Sequence, residues 1–167
     1  MFRDMRRKAQ QLSSAECEKI LSECTSGVLA VSGDDGYPYA VPLSFVYSDS
    51  KIYFHCALSG HKLDAVKRCD KASFCVVEKD DVVPEEYTTY FRSVIAFGRI
   101  RLLEGDELRA ALNILARKYN PTDSAENRDR AIDRELSRTA VMELTAEHIT
   151  GKQAIELKRA AALGENE

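Results

Sequence analysis

No stretch of the 167-residue chain approaches the ~18 consecutive apolar residues of a membrane-crossing helix, so nothing in it reads as a span. The five cysteines, Cys17, Cys24, Cys56, Cys69 and Cys75, are odd in number and form no CxxC pair. That removes a disulfide framework and a paired-cysteine metal knuckle. Reduced thiols in a cytoplasmic protein are the expectation. The opening "MFRDMRRKAQQLSSAEC" carries charge but no apolar segment, which is not the pattern of a secretory leader. Neither GxGxxG nor a P-loop occurs, so neither of these glycine-rich phosphate loops is available. A basic excess is missing as well. The 24 Lys and Arg are outnumbered by 27 Asp and Glu, and the net charge of −3 argues against nucleic acid as a partner.

What is present is enough apolar residue, 44%, to build a core without staples. Residues 1–12 are polar and basic and read as an arm. Ser13 with Glu16 is a capping-box pattern, and Cys17, Ile20, Leu21 and Cys24 recur at helical spacing, predicting a helix over 14–24. "GVLAVS" is a strand and "GDDG" a hairpin turn. "YPYAVPLSFVYS" reads as one second strand, at an edge because Pro38 and Pro42 have no N–H for a ladder. "KIYFHCA" and "KASFCVVEK" are the next two strands, with a helix over 61–69 between them. "DDVVPEEYTTY" reads as a polar connection. "FRSVIAFGRIRLLE" is a long fifth strand with Gly98 as a bulge or close-approach point. Helices follow over 105–119 and 124–136, then a sixth strand in "RTAVMELTAEHITGK". The segment from 155 onward is charged and reads as a fraying tail. The βαβ rhythm is absent. A mainly β, antiparallel six-stranded barrel or sandwich with an N-terminal helix and a helical insertion is therefore predicted, its domain running over 13–154.

Two of only three histidines flank one strand-to-helix turn, "HCALSGHK". A helix N-terminus offers free N–H groups and a partial positive charge, both suited to phosphate. Ser59 can cap, Gly60 lets backbone come close, His61 can donate a hydrogen bond and Lys62 adds a full charge. Together they suggest a monophosphate cradle, and an ordinary capped helix with solvated side chains is the competing reading. His55 points away from Phe54 and Cys56 if the segment is a strand, so His55 and Cys56 cannot share a metal, and no metal site is assigned. Arg92, beside Ser93, has the forked geometry for phosphate, against a surface ion pair as the alternative. The cysteines lack the partners of a nucleophile.

These strings also carry a resemblance. "GYPYAVPLSFVY", "IYFHCA", "GHKLD", "YFRSV" and "ITGKQA", in this order over Gly27 to Ala154, resemble the FMN-binding split β-barrel family related to pyridoxamine 5′-phosphate oxidase. The nearest branch is Nim-type, nitroimidazole-resistance-like. The resemblance implies a homodimer with FMN at its interface. It implies that Pro42, Leu43 and Ser44 line the ring edge, that His55, Cys56 and Ala57 lie along the flavin, and that Gly60, His61 and Lys62 hold the phosphate. Arg92 and Ser93 would approach the cofactor from the opposing subunit, and Lys152 and Gln153 sit in a C-terminal motif near the site. An aromatic residue often precedes that motif's Gly-Lys step, where Ile149 and Thr150 stand here. Trp is absent throughout, and with it the Trp- and Arg-bearing C-terminal segment of the vitamin B6 enzymes, so B6 synthesis is not the expected role.

The function implied is an FMN-dependent oxidoreductase that reduces a small nitroaromatic or quinone-like acceptor. His55 would be its catalytic residue, and NAD(P)H a donor that binds transiently, since no nicotinamide motif is present. Three alternatives stay open: a non-catalytic flavin-binding redox sensor, a haem-binding split barrel with His55 or His148 as iron ligand, and an interaction domain whose site has decayed.

Overall fold

The computed structural model describes residues 2–164. The Ser13 hydroxyl accepts the Glu16 N–H while the Glu16 carboxylate takes the Ser13 N–H, so the capping box forms and opens helix α1, Ser14–Glu23. The "GDDG" turn joins β1, Ser26–Ser32, to β2, Pro38–Ser44, in an antiparallel hairpin. β3, Val46–Ser48, and β4, Lys51–Ala57, are joined by Asp49 and Ser50, both with left-handed backbone (φ 52 and 62°). This matches the right-handed twist of the flanking strands. Helix α2, His61–Arg68, leads to β5, Lys71–Val83, and then to β6, Thr88–Leu103. α3, Gly105–Tyr119, and α4, Ala125–Glu135, precede β7, Thr139–Gln153, and α5, Ile155–Gly164.

The strands form one antiparallel sheet in the order β2-β1-β5-β6-β7-β4-β3. β2 and β3 lie at opposite ends of this order, yet only Phe45 separates them in the chain. Two trans peptide steps reach at most about 7.6 Å between Cα atoms, so the sheet must curl until its edges meet. This is a split barrel, mainly β with helices, as expected. The barrel interior holds Leu29, Phe54, Phe74, Val76, Val94 and Met142, with the Phe45 and Phe54 rings set edge-on to Phe74 at 4.8 and 4.9 Å. Ile20 and Leu21 of α1 and Leu63, Ala65 and Val66 of α2 close its ends. A second, smaller core lies outside the sheet, where Ala111 and Leu115 of α3 cover Val46, Tyr53, Leu103 and Val141.

Three sequence expectations are corrected. There are seven strands, not six, because the run over 37–48 breaks at Phe45. The backbone of Phe45 turns to Thr25 and to Tyr119, whose hydroxyl accepts the Phe45 N–H at 2.9 Å and donates toward the Thr25 carbonyl at 2.6 Å. No Gly or Pro marks that break, so the alternation looks continuous. The "DDVVPEEYTTY" segment is not a loop. β5 and β6 continue as a two-stranded arm from Lys79↔Arg92 to Val83↔Thr88, closed by a short turn ending in left-handed Tyr87. With no core beneath it, its composition is that of a loop while its backbone is paired. Residues 155–164 form helix α5 in place of the expected fraying tail, and 165–167 lie outside the described residues.

One ion triad ties three strands together. Buried Glu143 on β7 accepts from Lys51 on β4 and from Arg101 on β6, each at 3.0 Å. Burial pushes the Glu143 carboxyl up, but the two hydrogen bonds outweigh it and hold the group below its ordinary value. A folded-state value below the unfolded one contributes stability above the unfolded pKa, and that contribution is lost as pH falls through the folded one. Glu143→Gln is therefore expected to cost about 1.5–3 kcal/mol at neutral pH, the worth of hydrogen bonds to a charged group. The gap from wild type should shrink in urea titrations carried well below the ordinary glutamate range near 4.5. A pH-independent gap would rule out the charge as its source.

Candidate functional site

Where the barrel edges meet, β2 and β4 run side by side without a ladder between them. β2 is paired on the β1 side alone, and β4 beyond Tyr53 is paired on the β7 side alone. The two strands therefore present unpaired backbone edges along a seam, and Pro42 contributes only an acceptor. Further along, the Tyr39 and His61 rings stack at 4.1 Å between centroids, so β2 still flanks the chain where α2 begins. Pro42, Leu43 and Ser44 stand on the β2 side of this seam, His55, Cys56 and Ala57 on the β4 side, and Gly60, His61 and Lys62 at the start of α2.

Its α2 end is the cationic part. Gly60 is the N-cap at φ 129°, conformational space that side-chain-bearing residues rarely enter, and nothing lies within 4 Å of where a Cβ would stand. No side chain caps the helix, so Ser59 does not play the capping role. The Gly60 carbonyl takes the N–H groups of Leu63 and Asp64, which leaves those of His61 and Lys62 at the open N-terminus. Among the described residues no carboxylate pairs with Lys62, whose charge reaches Cys56. His61 is otherwise engaged. Its Nε2 lies 3.3 Å from Asp34, which also takes Arg68 at 2.7 Å. A phosphate monoester fits the open space over Gly60, the two backbone donors and the Lys62 ammonium. Burial pushes up the thiols of Cys56, Cys17, Cys24 and Cys75, which disfavours the thiolate each would need as a nucleophile.

His55 and Cys56 diverge as strand neighbours do. Cys56 packs toward the barrel core, and His55 faces outward, where it lines a cavity beneath α3 and α4. The remaining sequence-selected residues lie elsewhere. Ala57 pairs with Thr139, whereas Lys152 and Gln153 stand at the far end of the same strand, opposite Ser93 and Arg92. Arg92 is held by Glu78 at 3.4 Å and Glu16 at 3.5 Å, the ion-pair alternative for this residue, and its buried Nε has no partner. Ser93 and Lys152 face outward on the sheet, with the Lys152 ammonium 5.1 Å from the centre of the Phe91 ring. His148 stacks on Phe2 at 4.8 Å. Among the described residues no group of three or more His, Cys, Asp or Glu is placed to hold a metal ion, and no helix is long and apolar enough to cross a membrane.

Sequence reasoning missed Asp34, Tyr39 and Tyr119. Tyr39 had a local signal, its alternation with Val41 and Leu43 on the semi-buried face of β2. Asp34 and Tyr119 had none, because their partners are distant in the chain.

The fold and the seam define a class, the small split barrels with an open edge-to-edge seam and a cationic helix start at one end. Within it, this chain belongs to the pyridoxamine 5′-phosphate oxidase family, whose model matches residues 13–153. Solved structures share the fold. A 5-nitroimidazole antibiotic resistance protein from Bacteroides thetaiotaomicron is 21% identical, with 85% of each chain covered and a TM-score of 0.69. A conserved hypothetical protein, Rv2991, from Mycobacterium tuberculosis is 18% identical over 90% of each chain, with a TM-score of 0.77. The FAD and heme binding protein from Mycobacterium smegmatis is 21% identical over 87% of this chain and 73% of its own, with a TM-score of 0.72. No curated protein matches the chain.

Proposed function

We propose that the chain is an FMN-dependent oxidoreductase that acts as a homodimer and reduces a small nitroaromatic or quinone-like acceptor. The observation that carries this reading is the α2 start, where an open Gly60 stands beside Lys62, which has no carboxylate partner among the described residues. Lys62 and the N–H groups of His61 and Lys62 hold the phosphate. Backbone groups of Leu43 and Ser44 on one lip, and of His55, Cys56 and Ala57 on the other, border the ring and set its orientation. FMN, when bound, supplies the electron transfer chemistry, and NAD(P)H serves as a transient donor. A ring nitrogen of His55 orients the acceptor or gives it a proton, a task suited to imidazole near neutrality. The name of the FAD and heme binding relative is consistent with a flavin here.

A second copy accounts for two further observations. Arg92, Ser93, Lys152 and Gln153 lie apart from the seam of their own chain and would complete the seam of a partner. The outward faces of β1 and β5 and the arm beyond leave Val28, Val77 and Val82 40, 58 and 69% exposed, and Tyr87 almost wholly so, a surface that a second chain would cover.

The test is reconstitution. Protein saturated with FMN at about 100 times its Kd should gain about 2.7 kcal/mol, a rise in Tm of roughly 5–10 °C for a domain of this size. The loaded protein should show the two-band visible spectrum of a flavin and couple NAD(P)H oxidation to nitroaromatic reduction. A colourless protein whose melting point FMN leaves unchanged would overturn the flavin assignment, and a single Soret band would replace it with haem. Loaded protein that never turns over would remove the enzyme.

A further inference from the structure

A second site lies away from the cationic end of the seam. The hairpin of α3 and α4 stands off the outer faces of β4 and β7 and leaves a cavity of about 500 Å³. This is the size of a small-molecule pocket. Its walls are largely apolar, built from Leu112, Leu115, Ala131 and Ile132, with His55 and Thr139 on the sheet side. Into it reaches Arg128 of α4, only 8% exposed.

Arg128 is buried and makes no salt bridge among the described residues. Its one side-chain hydrogen bond among the described residues is a long one, 3.3 Å to the Asp123 carbonyl, and its buried Nε has no partner. Asp123 and Glu135 also line the cavity, but among the described residues neither carboxylate pairs with Arg128. Glu135 pairs with Arg138 through both carboxylate oxygens, and the Asp123 carboxylate takes the Asn127 amide at 2.8 Å. A guanidinium removed from water and left unpaired is strongly destabilising, because burial strips its hydration and returns nothing. Arg128 also shares a helix face with Ala131 and Ile132, three and four residues on, where a solvent-facing arginine has no reason to be.

We propose that this cavity binds a small monocarboxylate with an apolar, ring-sized body, the carboxylate seated on the fork of Arg128 and the body against the α3 and α4 leucine, isoleucine and alanine side chains. A guanidinium matches a carboxylate with two parallel N–H donors, and the free Nε is one of them. The apolar lining selects against a bare inorganic anion, whose hydration the walls cannot replace. His55 borders both this cavity and the seam, but the fork belongs to Arg128, so binding here does not require a flavin.

Isothermal titration of the full-length, FMN-free protein tests this with benzoate and 4-nitrobenzoate against benzamide and 4-nitrobenzamide. The carboxylates should bind at least about tenfold more tightly than the matched amides, roughly 1.4 kcal/mol. Arg128→Met keeps the apolar stem and should erase that preference, while Arg128→Lys keeps a charge without the fork and should retain only part of it. Equal binding of acids and amides, or a preference that survives Arg128→Met, overturns the assignment. Should Arg128→Met fail to fold, methyl signals of Ala116 and Ala131 in the wild type decide. They shift with 4-nitrobenzoate if the cavity is the site, and stay fixed if it is not.

Discussion

Lys62→Ala lowers FMN affinity about 10- to 150-fold and leaves riboflavin affinity unchanged. The range follows from the worth of a hydrogen bond to a charged group, about 1.5–3 kcal/mol, at 1.4 kcal/mol per tenfold. The side chain is well placed for this. It stands in the first turn of α2, beside a cap at Gly60 with open space above it, and among the described residues no carboxylate competes for it. Riboflavin has no phosphate, so it measures the ring contacts alone, and wild type should prefer FMN by more than the factor that the variant loses, because the backbone donors remain in the variant. His61→Ala should do much less, because the His61 ring is already stacked on Tyr39 and turned to Asp34, and it can give the phosphate chiefly its backbone N–H. Parallel titrations of both flavins with both variants check this. Equal losses for FMN and riboflavin in Lys62→Ala would place the lysine at the ring and dissolve the phosphate cradle.

Gly98→Ala destabilises the barrel by about 3 kcal/mol and lowers Tm by roughly 6–12 °C, near the top of the range for overpacking a well-packed interior. Gly98 sits where the β6 and β7 register shifts by one residue, opposite Ala146. A Cβ there would overlap the Thr145 carbonyl and press on the Ala146 Cα, and backbone cannot swing aside as a flexible side chain can. The strands would have to part in the middle of one of the two longest pairings in the sheet. The ordinary gain from replacing glycine, about 0.4–1 kcal/mol through the unfolded chain, is too small to offset this. Thermal and urea unfolding of the variant are the measurements, and a melting point within a degree of wild type would show that the bulge relaxes freely.

Much of the local structure follows from short spacings. Ser13 and Glu16 specify the start of α1, "GDDG" specifies a hairpin, and Gly98 announces its bulge, because each depends on residues within a few positions. The seam was legible in part. Gly60, His61 and Lys62 fall on a helix start that the strand-to-helix turn predicts, while the partners of His61 were invisible because Asp34 and Tyr39 come from another hairpin. Arg128 left a trace in its helical spacing with Ile132, but a spacing cannot say which acids pair with it.

By itself, then, the chain's order of residues determined most of the strands, helices and turns, the β5–β6 arm and α5 excepted, since propensity, capping and turn chemistry act over a handful of positions. Only the tertiary structure decided that the second strand breaks at Phe45, that β2 and β4 leave a seam, that Arg92 and Lys152 stand apart from it, and that α3 and α4 arch over a cavity. Those outcomes rest on pairings between distant residues. Their free energy comes from burial and hydrogen bonds that exist only once the sheet has curled and its edges have met.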